Sequence, residues 1–171
     1  MFNKLRTVAF GAAMLAVAAP AMAQDTMLRP VGLSIRAGVF VPTDTNTRRG
    51  NSGWFAGGVE YKLRDMMMGQ GRPTQLTLSL DYMANNNFRN VPLLLNLRRH
   101  SGPIFYSGGV GVAFTRRPTG GGTDDRTRFA FQVGIGYEFT MSENPLFVEG
   151  KFFGSDRSDL NGFGMYVGVR F

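Results

Sequence analysis

The chain has 171 residues, room for one domain, and it contains no Cys and a single His, His100. Disulfides, thiolate chemistry and cysteine-ligated or multi-histidine metal sites are therefore excluded. Nineteen Lys and Arg against 12 Asp and Glu give a net charge of +7, while 23 Gly and 15 Phe suit short strands with aromatic faces better than a helical enzyme.

The first segment reads as a cleaved signal peptide, residues 1–23. Lys4 and Arg6 supply a basic start, Val8 to Ala19 an apolar run too short to span a bilayer, and Ala21-Met22-Ala23 a small-x-small cleavage site. Residues 24–171 then form the folded domain, exported from the cytoplasm, so nucleic acid is not an expected partner. No Cys follows the cleavage site, so a lipoprotein is not expected either.

Eight segments follow with strict two-residue alternation. The first, Val31 to Val41, sets Leu33, Ile35, Ala37 and Val39 against Ser34, Arg36, Gly38 and Phe40. The second, Trp54 to Leu63, sets Phe55, Val59 and Tyr61 against Ala56, Gly58, Glu60 and Lys62. The third, Thr74 to Ala84, opposes Leu76, Leu78, Leu80 and Tyr82 to Gln75, Thr77, Ser79 and Asp81. The fourth, Val91 to Arg98, opposes Leu93, Leu95 and Leu97 to Leu94, Asn96 and Arg98.

The fifth, Ile104 to Thr115, opposes Tyr106, Val110, Val112 and Phe114 to Phe105, Ser107, Gly109, Gly111 and Ala113. The sixth, Arg128 to Phe139, opposes Phe129, Phe131, Val133, Ile135 and Tyr137 to Arg128, Gln132, Gly134, Gly136 and Glu138. The seventh, Leu146 to Phe153, opposes Leu146, Val148 and Phe152 to Phe147, Glu149 and Lys151. The eighth, Phe163 to Phe171, opposes Met165, Val167 and Val169 to Gly164, Tyr166, Gly168 and Arg170.

The second face decides the class. It carries Arg36, Glu60, Lys62, Asp81, Arg98, Arg128, Glu138, Glu149, Lys151 and Arg170, separated by Gly and Ala. A soluble sandwich or lipocalin-like carrier would turn these charges to water. A transmembrane barrel turns them inward and gives its apolar face to lipid. Tyr61, Tyr82, Tyr106, Phe114, Phe129, Tyr137, Phe139 and Phe171 fall near strand ends, as interfacial girdles require. Open edges are not tolerated in hydrocarbon, so the expected fold is an all-β, closed, antiparallel, eight-stranded transmembrane β-barrel with up-and-down meander topology. An eight-stranded bore is filled by side chains, so the ten charges are expected to pair as a lumen network. A narrow pore for ions or small solutes is the alternative.

With a periplasmic amino terminus, Pro42–Gly53, Asn85–Asn90, Arg116–Thr127 and Gly154–Asn161 connect strands on the outer side. Arg48, Arg49, Arg116 and Arg117 in these connections are candidate contacts for lipopolysaccharide phosphates. The Met66-Met67-Met68 run reads as an interfacial turn on the opposite side. His100 and Ser101 fall in a periplasmic turn without an orienting carboxylate nearby in sequence, so catalysis is not expected there. The glycine clusters at Gly108 to Val112 and Gly120 to Gly122 lack the Lys-Ser/Thr element of a phosphate loop. Asp124-Asp125 falls short of a calcium ligand set. No cofactor or metal is expected.

Three stretches carry a family resemblance: Val91 to Arg98, Gly108 to Phe114, and Tyr166 to Phe171. With them the chain resembles the small outer-membrane β-barrels, such as the outer-membrane protein A transmembrane domain and the Opa-type barrels. The resemblance implies the outer membrane of a Gram-negative-type bacterium and a monomer in contact with outer-membrane lipid and lipopolysaccharide. It also implies biogenesis through periplasmic chaperones and the barrel-assembly machinery. Val167, Val169 and the terminal Phe171 are similar to the signal that machinery reads, although Tyr166 stands where the signal has Gly. A structural or surface-interaction role follows as the expected function, since fold alone does not name a ligand.

Overall fold

A computed structural model describes residues 32–50, 53–67, 73–85, 88–119, 122–139, 144–156 and 160–171. The expected signal peptide and its cleavage site lie outside these residues, as do Val31 and Met68. The strands are β1 (Leu33–Pro42), β2 (Trp54–Met66), β3 (Thr74–Asn85), β4 (Phe88–Ser101), β5 (Ile104–Thr119), β6 (Gly122–Phe139), β7 (Leu146–Ser155) and β8 (Gly162–Arg170). A single turn of helix, α1 (Thr45–Gly50), sits in the first connection. Each strand pairs antiparallel with the next, and β1 pairs with β8 to close the barrel. Backbone bonds from Gly32 to Phe171 and from Phe171 to Leu33 seal that seam, both at 2.8 Å.

The two faces separate as the alternation requires. Phe55, Val110, Val133, Met165 and Val167 are each more than half exposed on the outer face. Ser34, Arg36, Glu60, Ser79, Asp81, Asn96, Arg98 and Lys151 are buried inside. The β-branched residues that favour strand thus lie mostly on the outer surface, while the aromatics divide between the outer surface and the interior. This is the inverse of a water-soluble barrel.

The strands outrun their alternating cores at several ends, each for a local reason. β2 continues to Met66 through a bulge between Lys62 and Arg64, which leaves both Leu63 and Arg64 exposed on the outer side. β4 runs on to Ser101, so His100 is a strand residue opposite Phe105 and not part of a turn. The turn itself begins at Gly102, whose φ of 63° places it in the left-handed region.

The largest departure concerns Arg116–Thr127, expected as a loop. Apart from its tip it is paired strand, with Arg116 opposite Asp125 and Arg117 opposite Asp124. Opposite charges facing across an antiparallel pair stabilise it, so the segment extends as a ribbon. β7 accompanies β6 only as far as the Ala130–Ser155 pair, and the first part of the 18-residue β6 rises beyond it. In the first connection Asp44 caps α1, its Oδ2 accepting from the Thr47 N–H at 2.7 Å.

Inward glycines set how closely the interior packs. A Cβ at Gly58 would fall 2.2 Å from Asp81 Oδ1, and one at Gly109 would fall 1.9 Å from Asn96 Oδ1. These positions therefore hold polar side chains of the neighbouring strand against the wall. Gly109→Ala is expected to lower unfolding stability by about 1–3 kcal/mol through overpacking. Gly53→Ala, where nothing lies within 4 Å, is expected to be neutral. Urea titration of folded protein in detergent, read by heat-modifiable gel migration, checks the contrast.

The filled interior as candidate functional site

The interior has three levels. The middle one is ionic. Arg36, from β1, donates from Nε to Asp81 Oδ1 at 2.9 Å and from Nη2 to Asp81 Oδ2 at 2.8 Å, a bidentate pair reaching across β2 to β3. Its Nη1 donates to Glu60 Oε2 at 2.9 Å, and the same oxygen accepts from Arg98 Nη2 at 3.0 Å. Glu149 lies 3.7 Å from Arg98, 3.8 Å from Arg36 and 3.6 Å from Lys151. Three cations and three anions thus share one buried layer and cancel.

Neutral polar residues extend this layer around the wall. Lys151 Nζ donates to Gln132 Oε1 at 3.1 Å, Gln132 Nε2 to Asn96 Oδ1 at 2.5 Å, and Asn96 Nδ2 to Ser79 Oγ at 3.0 Å. Ser107 Oγ donates to Glu149 Oε1 at 3.2 Å. Charges removed from water are tolerated only with such dense compensation.

At the end of the barrel where β1 begins and β8 ends, its termini end, lies a second polar group. Arg170 Nη1 bonds to Glu138 Oε2 and also lies 3.2 Å from His100 Nε2, which is 3.6 Å from the same Glu138 oxygen. The Arg170 guanidinium carbon sits 5.6 Å from the ring centroids of both Phe105 and Phe147, and Arg98 lies 4.7 Å from Phe105.

At the opposite end the interior is apolar. Phe40, Trp54, Met83, Leu94, Phe153, Leu160 and Tyr166 form one buried cluster, with Phe88 against it. Phe40 packs on Trp54 at 5.6 Å and on Phe153 at 6.2 Å, and Trp54 stacks on Phe88 at 5.6 Å. The inward aromatics that alternation placed on the second face, Phe40, Phe153 and Tyr166 among them, gather here instead of mixing with the charges. Alternation assigns a face but not a depth, and large inward aromatics occupy the level beyond the ion pairs.

The ten expected lumen charges therefore separate into groups. Arg36, Glu60, Asp81, Arg98, Glu149 and Lys151 form the central network, and Glu138 with Arg170 forms the terminal group. Lys62 instead pairs with Asp65 at 3.3 Å near the bulge, and Arg128 pairs with Asp156 at 3.3 Å at the opposite rim. Sequence reasoning missed His100, Gln132, Asn96 and Ser79 as members. Their inward parity was the available signal.

The four candidate lipopolysaccharide contacts also separate. Arg116 lies on the outward row of β5, held bidentately by Asp125 at 2.7 and 2.6 Å. That pairing holds the Asp125 carboxyl below its usual range. Arg117 belongs to the inward row, opposite Asp124. Arg48 lies in α1, its Nη2 3.5 Å from Thr45 Oγ1; the Arg49 side chain lies outside the described set. Val167 is fully outward on β8, and Val169 and Phe171 follow it on the same row.

Solved structures share this fold. The N-terminal β-barrel domain of Pseudomonas aeruginosa OprF is similar at 16% identity, covering 84% of this chain and 98% of that one with a TM-score of 0.52. The outer membrane enzyme PagL is similar at 12% identity, covering 81% and 98% with a TM-score of 0.50. Yersinia pestis outer membrane protein Ail, solved in a phospholipid bilayer nanodisc, is similar at 13% identity, covering 81% and 98% with a TM-score of 0.44. No family model matches the chain, and neither does any curated protein. The chain therefore has the closed, eight-stranded, up-and-down fold known from outer-membrane barrels, with a filled interior in place of an open pore.

Removing one partner of the central layer leaves uncompensated charge. Arg36→Met is expected to cost about 3–5 kcal/mol, because Asp81 and Glu60 lose their buried counter-ion. Arg36→Met combined with Asp81→Leu is expected to cost less than the two single changes added together. A double-mutant cycle by urea unfolding in detergent measures that coupling, and strict additivity would count against a shared layer.

Proposed function

We propose that the chain is an integral outer-membrane barrel with a structural or surface-interaction role, not an enzyme. One observation carries this reading: the surface is apolar around the whole barrel while the charges are buried inside it. Water would penalise such a surface, and a bilayer favours it. Tyr61, Tyr106, Tyr137 and Phe139 ring the termini end, and Phe55, Phe114 and Phe129 ring the other, all exposed at the levels where girdles lie. The termini end then faces the periplasm and the β5–β6 ribbon faces outward. Val167, Val169 and Phe171 supply the terminal strand to the assembly machinery after passage with periplasmic chaperones, and the barrel stands as a monomer in lipid.

The non-catalytic part of this reading rests on how His100 is used. It is held between Glu138 and the competing guanidinium of Arg170, and Ser101 next to it ends β4 exposed on the opposite face, paired with Ile104. That arrangement orients no nucleophile. PagL is an enzyme, and at 12% identity its activity does not pass to this chain.

Two measurements test the proposal. Val133→Arg, on the middle of the outward face, is expected to lower stability in lipid by about 2–4 kcal/mol, whereas Ile104→Arg at the end of β5 is expected to cost only about 0–1 kcal/mol. Equal effects would sink the lipid-facing assignment. In planar bilayers the folded protein is expected to give no discrete conductance steps, since an ionic layer and an aromatic cluster both cross the bore. Reproducible steps would favour the narrow-pore alternative.

A further inference from the structure

One outward-facing row remains unexplained. Arg89, on β4, stands directly opposite Arg116 on β5, which stands opposite Asp125 on β6. All three lie on the outer face, and the next residues along that face are Val91, Phe114 and Thr127, followed by Leu93, Val112 and Phe129. Each step along a strand face rises about 7 Å, so the two arginines sit one step above the aromatic girdle.

Like charges directly opposite in a sheet destabilise the pair. Asp125 occupies Arg116 through Nε and Nη2, on the side away from Arg89, and Nη1 takes no part in that pair. Arg89 is exposed and makes no hydrogen bond or close ion pair with a described side chain, although its charge acts on the Asp125 carboxylate from across Arg116, so two cations share one anion. On its other side β3 presents only Ala84, a small residue opposite Phe55. The row thus keeps one unmatched positive charge at the boundary between an apolar wall and water.

We propose that Arg89 and Arg116 bind the phosphate of a membrane lipid headgroup, whose acyl chains lie down the Val91, Leu93, Phe114 and Val112 wall. The geometry favours a lipid over a soluble anion because the cations and the apolar wall are continuous on one face. A phosphate between two guanidinium groups takes charge-assisted bonds from both and relieves their repulsion. The assignment replaces Arg117, on the inward row, and Arg48, in α1, with Arg89. It rests on the membrane-embedded reading above.

The test uses full-length folded protein in maltoside micelles, with diphosphoryl lipid A and its fully dephosphorylated form as probes. Native mass spectrometry counts bound lipid. Wild type is expected to bind the diphosphoryl form about tenfold more tightly than the dephosphorylated form, and Arg89→Gln to lose about tenfold in affinity for the phosphorylated probe alone. Arg48→Gln is expected to change nothing. Arg89→Gln breaks no described hydrogen bond or close ion pair and gives up only its longer-range attraction to Asp125, and heat-modifiable migration checks that it folds, whereas Arg116→Gln loosens the ribbon. Equal binding of both lipids by a barrel that still migrates heat-modifiably overturns the phosphate site and leaves the embedded reading standing. Displacement of the lipid by inorganic phosphate overturns the lipid assignment.

Discussion

Burial of charge is the constraint on which the rest of this barrel depends. A chain that turns most of its apolar residues outward keeps a hydrophobic interior only at one end, and none at the middle of the bore. What fills the middle must be ionic or polar, and it must be neutral in sum. Arg36, Arg98 and Lys151 against Glu60, Asp81 and Glu149 meet both conditions within one layer. Arg36 is the centre of it, because its planar fork engages carboxylates from two other strands at once. A lysine at that position would offer a point charge and could not hold Asp81 bidentately.

The strand count follows from the same constraint. Eight strands give a bore that a single layer of side chains can span, so that Arg36 on β1 reaches Asp81 on β3 and Glu149 on β7. The wall must approach closely for this to work, and glycine at Gly58, Gly109 and Gly134 permits it. Glycine weakens a strand elsewhere, yet here each one stands where a polar side chain of a neighbouring strand needs the space. The composition that first marked the sequence as unusual is thus a packing requirement.

Parity along the chain made the eight strands and their faces legible, because one-residue slips would exchange lipid-facing and interior sets completely. Depth was not legible. Whether Phe40, Phe105 and Phe153 stand beside the charges or beyond them depends on strand stagger, which becomes visible only when the ladder is closed. Ion partners share that limit. Arg128 and Lys62 carry inward parity like Arg36, but they lie at the rims, where Asp156 and Asp65 reach them first. The β5–β6 ribbon escaped for a different reason: its Arg, Asp and Thr residues look like a solvated loop until Arg116 is set opposite Asp125.

The two ends of the interior are closed by different chemistry, and this asymmetry constrains where the barrel can change. At the termini end Arg170, Glu138 and His100 form a polar closure over Phe105 and Phe147, with cations resting on aromatic faces. At the ribbon end the closure is a cluster of Phe40, Trp54, Phe153 and Tyr166, on which the central cations rest, Arg36 5.8 Å from the Tyr166 ring and Lys151 5.8 Å from that of Phe153. That cluster keeps water away from the central ion pairs, and in such low-dielectric surroundings a charge placed nearby acts strongly on them. Substitutions on the outward rows can therefore alter surface charge with less effect on the neutral layer than substitutions inside the cluster. The central six residues cancel, so they contribute nothing to the excess of Lys and Arg. Part of that excess, Lys4 and Arg6, belongs to the expected signal peptide; among the described residues Arg64, Arg89 and Arg99 are exposed on the outward rows, where headgroups can reach them.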